Sequence, residues 1–573
     1  MAQRTLMICL GAILASACSH DCKTARDCDA NQRCVNSSCK NSDESPGQLG
    51  DSCTATAECG SGLTCEPAGS GFPDGFCSVG CATSTCSAGV CAGLASGAVC
   101  APACTADANC RTGYGCCTGL GGACVPLGAC LPGACQRTIA TSGLPTTQVI
   151  PLGVHKVGDL VPFTVPAGTS SMTIVHQAQT APLEVVLKGN NVWPNNAVPG
   201  QLFMPDGGKV YDDNDSAFFS PESSDGGVDS SGLYVMYGLD SPSTAAFTIP
   251  NTTASLNSGV PAGTWKFVVH DWAYDCSASG SGCLDGGTNT STYDVSVLLK
   301  PAPTPNLDVA FYIVGDATTT IGQPFTAAVA QAGDPSATRM LSTLKKLFSA
   351  AGITVRNVSW FDVSAADKTR FGTHISADHT GPCDELDQMF TLSSAHPGNT
   401  INLFLVQSIS ATNNGGGHVV GIDGTIPGPA SLSGTVHSGA AVSLADLFAS
   451  PTGCGGAPDA FSCGADEVAF IAAHESGHFL GLFHPTEAQG LDFDGLTDTP
   501  KCPCALCADP TKRANCDSQT ASNPIFMSGD RCISTTGSCG GGDNLMFWQL
   551  NNFSAGTVTP QQAAIMMRSP ALQ

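Results

Sequence analysis

Charge is scarce in this chain, and positive charge is scarcer still: 12% of the 573 residues are charged, with 23 Lys and Arg against 47 Asp and Glu. The formal net charge of -24 repels phosphate backbones and argues against nucleic acid as a partner. Long apolar runs are missing as well. No stretch of 18 or more apolar residues occurs, so no permanent bilayer-spanning helix is expected. The small charge fraction, with 66 Gly and 36 Pro, suits β-rich and loop-rich domains better than long helices or acidic disorder. The length exceeds what one hydrophobic core accommodates and predicts three or four domains.

The chain starts with a positive residue, Arg4, a short apolar run from Leu6 to Leu14, and small residues at Ala15, Ser16 and Ala17. That order reads as an export signal over residues 1–17. Its end, Leu14-Ala15-Ser16-Ala17-Cys18, resembles a bacterial lipoprotein signal. The resemblance implies a lipid on Cys18 and attachment at the cell surface or outer membrane. Ordinary cleavage near Ala17 and secretion is the other reading. Lipid would be the chain's sole tie to a membrane. Nothing in the sequence sets an oligomeric state.

Thirty-two cysteines in an exported chain predict disulfides, because thiols pair and persist in an oxidising compartment. Nineteen of them fall within 19–135, where the spacing Cys-x5-Cys-x5-Cys recurs at 22/28/34, 53/59/65 and 104/110/116. This internal repeat defines a Cys-rich region over 18–135 whose units are too small to bury a core and need staples. A spacer and a docking or adhesive module are its two readings. A zinc site is disfavoured by the compartment and by the absence of His beyond His20.

From 136 to 303 the cysteines nearly vanish and apolar alternation appears: Trp265, Phe267 and Val269 in one run, Tyr293, Val295, Val297 and Leu299 in another. Period two with Gly, Asn and Ser turns predicts an antiparallel β-sandwich. The run from Ala262 to Asp271 resembles strands of jelly-roll accessory domains found beside secreted bacterial proteases. Asp212, Asp213, Asn214 and Asp215 form either a calcium-holding loop or a solvated acidic one. Cys276 and Cys283 are expected to close a hairpin.

After the linker Pro301-Ala-Pro-Thr-Pro305, strands and helices alternate over 304–573. Strands are expected at Leu307–Val314, Thr354–Phe361 and Asn399–Gln407, and helices at Ala337–Ala350 and Pro382–Ser394. The Gly-rich stretch 415–443 suits an irregular edge strand. The pattern predicts an α/β domain with a mostly parallel sheet.

Chemistry concentrates in His474-Glu475-Ser-Gly-His478-Phe-Leu-Gly481-Leu-Phe-His484. His474 and His478 are four apart and project from one helix face, so both imidazoles reach one metal ion. Glu475 stands beside that ion, where a general base belongs. Gly481 can take the left-handed conformation that ends a helix and turns His484 back as a third ligand. Three protein ligands leave a fourth position open, as catalytic zinc requires. By chance a chain of this composition would hold His-Glu-x-x-His about 0.004 times. A core helix that merely carries histidines is therefore a poor account; an intact site with lost or blocked catalysis is the other one.

The full His-Glu-x-x-His-x-x-Gly-x-x-His pattern resembles the metzincin zinc peptidases. That resemblance implies a zincin-like α/β catalytic domain, one catalytic Zn2+, and a methionine in a tight turn beneath it. Met546 in Asn544-Leu-Met546 is the candidate and Met527 its rival. Asp498-Thr-Pro500 and Thr559-Pro560-Gln561-Gln562, which starts a helix well, make the chain look like the pappalysin branch. Phe547 and Trp548 stand where that branch commonly has Asp and Tyr, so no tyrosine role is carried over. Cys502, Cys504, Cys507, Cys516, Cys532 and Cys539 are expected to make three staples, and Cys454 to pair with Cys463. Cys383 is left over, either in an interdomain disulfide or with a free upstream thiol available for latency.

The expected function is hydrolysis of extracellular protein or peptide substrates by zinc-activated water, with Glu475 as general base and substrate extended along the edge strand. The alternative is a surface adhesin carrying an inert or latent protease domain.

Overall fold

The computed structural model describes residues 32–35, 38–41 and 47–573, apart from 68–71, 73–74, 82–85, 87–88, 95–96, 106–108, 112–113, 118–121, 127–143, 145, 179–183, 187–191, 195, 213–231, 237–240, 243, 273, 276–283, 286–291, 378–384, 412–418, 431, 451–452, 456–462, 520–523, 534–538 and 551–554. The chain divides into two compact units, Met1–Cys130 and Leu131–Gln573. Cys18, Cys276, Cys283, Cys383 and Asp213 to Asp215 lie outside the described residues.

The first unit is built from two-stranded hairpins, each carrying two cysteines directly opposite one another: Cys65 and Cys77, Cys91 and Cys100, Cys116 and Cys124. Opposed cysteines do not pair with each other. Each bonds to a cysteine in the preceding loop, giving 53–65 with 59–77, 81–91 with 86–100, and 104–116 with 110–124. The repeat is therefore a four-cysteine module, and 81/86/91/100 is a copy that the sequence spacing missed because its loops are shorter. Phe76, Val99, Tyr114 and Val125 bury together, so neighbouring modules share a small core. Phe76 stacks on Tyr114 at 5.2 Å between ring centres, and the Arg111 guanidinium lies 4.0 Å over the Tyr114 ring.

The second unit starts with strands β1 (Gln148–Lys156), β2 (Leu160–Val165), β3 (Ser171–Ala178), β4 (Asn196–Phe203), β5 (Lys209–Asp212), β6 (Thr244–Ile249), β7 (Gly263–Trp272) and β8 (Thr292–Lys300). Two antiparallel sheets result, ordered β2-β7-β4-β5 and β6-β3-β8-β1, with Ser241–Pro242 also pairing on β4. Trp265, Phe267 and Val269 of one sheet and Tyr293, Val295, Val297 and Leu299 of the other fill a single core, as their alternation predicts. Leu298 and Lys300, which alternate with the core residues of β8, are nevertheless fully buried: Leu298 packs with Leu144, Val175 and Ala246, and the carboxy-terminal turn of the chain reaches Lys300. The Lys300 ammonium donates to the carbonyls of Ser569 at 2.7 Å and Leu572 at 2.9 Å, and burial pulls its pKa down to about 7. Asp212 is committed within the sheet: its carboxylate accepts from Gln201 at 2.9 Å and pairs with Lys209. A cation already partners the only acid of the expected calcium loop that the structure describes.

The rest of the unit is a five-stranded sheet ordered β10-β9-β11-β13-β12. Its strands are β9 (Asn306–Ile313), β10 (Thr354–Asp362), β11 (Ile401–Val406), β12 (Gly421–Asp423) and β13 (Ala440–Ser443). All pairs are parallel except β12 with β13. The stretch 415–443 thus supplies two strands, not one: an interior strand at 440–443 and a three-residue antiparallel edge. Helix α1 (Pro335–Ala350) covers one face, its start capped by Asp334, whose carboxylate accepts from the amides of Ser336 and Ala337. A second helix, α2 (Gly464–Phe479), packs against it through a buried bidentate pair: Arg339 Nε and Nη2 donate to Asp466 at 2.8 and 2.7 Å. Short helices at Ala327–Gln331 and Ala365–Phe371 have no counterpart in the expected elements; of the segment expected as helix over 382–394, the described residues are α-helical at Glu385–Phe390 and 3-10 from Thr391 on.

Candidate metal centre

Helix α2 is buried almost all round, with Ala469, Ala472 and Ala473 letting it lie close to the sheet. His474 and His478 stand on one side of it near its end. Gly481 has a φ of +99°, a conformation that side chains with a Cβ rarely adopt, and it sends the chain back toward the helix. His484 arrives opposite the first two. Its Nε2 lies 3.1 Å from Nε2 of His478 and 3.3 Å from Nε2 of His474.

The other nitrogen of each ring decides what those Nε2 atoms are. Nδ1 of His474 donates to the Leu545 carbonyl at 2.7 Å, and Nδ1 of His478 to the Leu482 carbonyl at 2.7 Å. Nδ1 of His484 faces a carboxylate oxygen of Glu487 at 3.0 Å. Carbonyls and carboxylates only accept, so each Nδ1 carries a hydrogen, and in the neutral ring that leaves Nε2 as the lone pair. Burial, with the neighbouring His484, pushes His474 down to about 3, and burial holds His478 well below the ordinary range. Three imidazoles whose Nε2 atoms converge, each with Nδ1 committed to an oxygen acceptor, fit a divalent ion of borderline softness. The two spacings from His484, 3.1 and 3.3 Å, are close to the edge of a tetrahedron with metal–nitrogen bonds of about 2.0–2.1 Å, and all three nitrogens lie within 4.8 Å of one another.

Glu475 lies on the same helix, turned toward the edge strand. Gly421 of β12 passes so close that an added Cβ would meet a Glu475 carboxylate oxygen at 2.4 Å and Ile471 at 2.6 Å. The absence of a side chain there lets the edge strand lie against the carboxylate. Burial pushes Glu475 up to about 8, partly offset by the backbone N–H of Asp423. Asp423 is itself held well above the carboxylate range by burial and by Glu475 beside it.

Met546 underlies the site. Its turn is closed by Asn544, whose side-chain oxygen accepts from the Met546 amide at 2.8 Å, while Asn544 and Gln562 exchange two amide hydrogen bonds. An added Cβ on Gly477, between the helix histidines, would meet the Met546 sulfur at 2.4 Å. Met527 instead belongs to the cluster around the disulfides 502–532, 504–516 and 507–539. Thr559 and Gln562 form the expected capping box on the last helix, Pro560–Met566, and Asp498 accepts from Thr559 and from the amide of Gln561. Cys454 and Cys463 are paired.

The sequence reading missed Glu487, Asp423, Gly421 and the Asn544–Gln562 pair. Of these only Glu487 carried a signal, an acid three residues after the third histidine. The cysteine triplets at 53/59/65, 81/86/91 and 104/110/124 also bring sulfur atoms together, but those sulfurs are consumed in disulfides. No protein-family model matches this chain, and no curated protein matches it.

Proposed function

We propose that this chain is an exported zinc-dependent endopeptidase of the metzincin kind, resembling the pappalysin branch. The observation that carries the reading is the convergence of three Nε2 lone pairs beside a buried carboxylate under an antiparallel edge strand. His474, His478 and His484 would hold the ion. Zinc bound there supplies Lewis acidity, polarising a carbonyl and making water acidic near neutral pH.

The chain's own groups do the rest. The hydrogen bonds from the three Nδ1 atoms fix the rings before any ligand arrives. Burial alone raises Glu475, and a bound cation beside it would favour its ionised form; as a carboxylate it would take a proton from the attacking water and return it to the leaving amine. Strand β12, the outer strand of the described sheet, would line an extended substrate whose backbone runs along it on both sides of the cut. Chain on both sides favours internal cleavage over removal of end residues. Ten disulfides among the described residues support an oxidising compartment, and with it the export signal at 1–17.

Metal removal tests the proposal. The purified chain should contain one zinc and cut casein at internal bonds. A chelator should abolish cleavage and added zinc restore it. Cleavage that survives complete metal removal would refute it.

A further inference from the structure

The three histidines do not share one kind of support. Two donate to backbone carbonyls of Leu545 and Leu482, both set by packed elements. His484 lies on the loop beyond Gly481, with a fifth of its side chain exposed, and its Nδ1 meets a side chain, Glu487, instead. A loop histidine has more ring orientations available than a helical one. It therefore depends more on what its second nitrogen finds.

Glu487 is in turn held by its backbone. Its amide donates to the Asp492 carbonyl at 2.9 Å, and its carbonyl accepts from Gly490 at 2.8 Å. That turn is tied on three sides to the disulfide-braced segment: Cys504 N–H donates to Gly490 at 2.9 Å, Met527 N–H to Ala488 at 2.8 Å, and Cys502 N–H to the Thr486 hydroxyl at 2.9 Å. Gly490 has a φ of +66°, and an added Cβ would run into the Cys504 amide at 2.8 Å. The staples thus end at the backbone that carries this carboxylate.

We propose that Glu487 is a positioning residue for the third ligand, holding His484 in the tautomer and orientation that present Nε2 to the ion. Glu487 meets the ring at Nδ1, the nitrogen that does not face the other histidines, so it is not itself a ligand. A carboxylate acceptor also makes the imidazole a stronger donor than a carbonyl does. The inference rests on the metal site proposed above.

Zinc affinity of the full-length protein, measured by competition with a chromophoric chelator, tests it. Glu487→Ala should weaken zinc binding roughly 10- to 100-fold. Glu487→Gln keeps an oxygen able to accept from Nδ1 and should recover most of that loss. Thermal midpoints of the metal-free proteins should coincide. Unchanged affinity in Glu487→Ala, equal losses in both variants, or a matching fall in metal-free stability would each overturn the positioning role. Wild-type protein that binds zinc and cuts casein while Glu487→Ala binds equally well defeats this inference alone; wild-type protein that binds no zinc defeats the site as well.

Discussion

Hydrogen bonding separates the three histidines of the site from His176 of the sandwich core. His474, His478 and His484 each spend Nδ1 on an oxygen acceptor and turn Nε2 toward the others. His176, in the sandwich core, is 1% exposed, stacks beside Phe267 at 5.9 Å, and has no partner for either nitrogen among the described residues. Burial pushes it down to about 4. The folded state therefore keeps it neutral, while the unfolded chain protonates near 6.5. Its contribution is fully present above that value and is lost as pH falls toward 4, in total about 3 kcal/mol. His176→Phe should flatten the loss of urea stability between pH 7 and 4.5 relative to the wild type. Parallel curves for the two proteins would contradict this. At this scale the proposed ligands were legible, because spacing on a helix and a glycine at its end convert directly into geometry. Glu487 was not, because a loop conformation fixed by distant disulfides sets its position.

Elements were legible where a period ran uninterrupted. The core strands of the sandwich and strands β9, β10 and β11 fall within a few residues of expectation, since alternation or a short apolar run marks each. The stretch 415–443 was misread because glycines hide the period: Gly421 must be bare to pass Glu475, and Gly439 to pass Asn402 and Phe404. Close approach also governs the turn under the site. Ordinarily Gly→Ala inside a helix gains about 1 kcal/mol. At Gly477 the new methyl would strike Met546, and overpacking costs about 1–3 kcal/mol. The second effect should win. Gly477→Ala should lower the thermal midpoint and weaken zinc binding together, by displacing Met546 and the turn that supplies the Leu545 carbonyl. A rise in midpoint with unchanged affinity would mean that the methionine does not sit tightly beneath the helix.

On the scale of the second unit, the sandwich and the mixed sheet are joined by contacts that no local pattern announces. Ser171 donates to the Arg568 carbonyl at 2.7 Å, Lys300 to Ser569 and Leu572, and the Thr253 amide to Gly495 at 2.9 Å. Period two predicts which face of a strand is apolar; it says nothing of a partner arriving from 270 residues on. Hence Lys300, which alternates with the core residues of its strand, lies inside. The loop reached by Thr253 is the one that follows Glu487, so the sandwich buttresses the same segment that supports the third histidine. All of this bears on one claim, that the convergent histidines and Glu475 form a hydrolytic centre. The measurement that tests it most directly is zinc content and casein cleavage of Glu475→Ala beside His484→Ala, both in the full chain. Glu475→Ala should keep one zinc per chain and lose cleavage by about 10²- to 10⁴-fold, whereas His484→Ala should lose both; cleavage near the wild-type rate in Glu475→Ala would contradict the account.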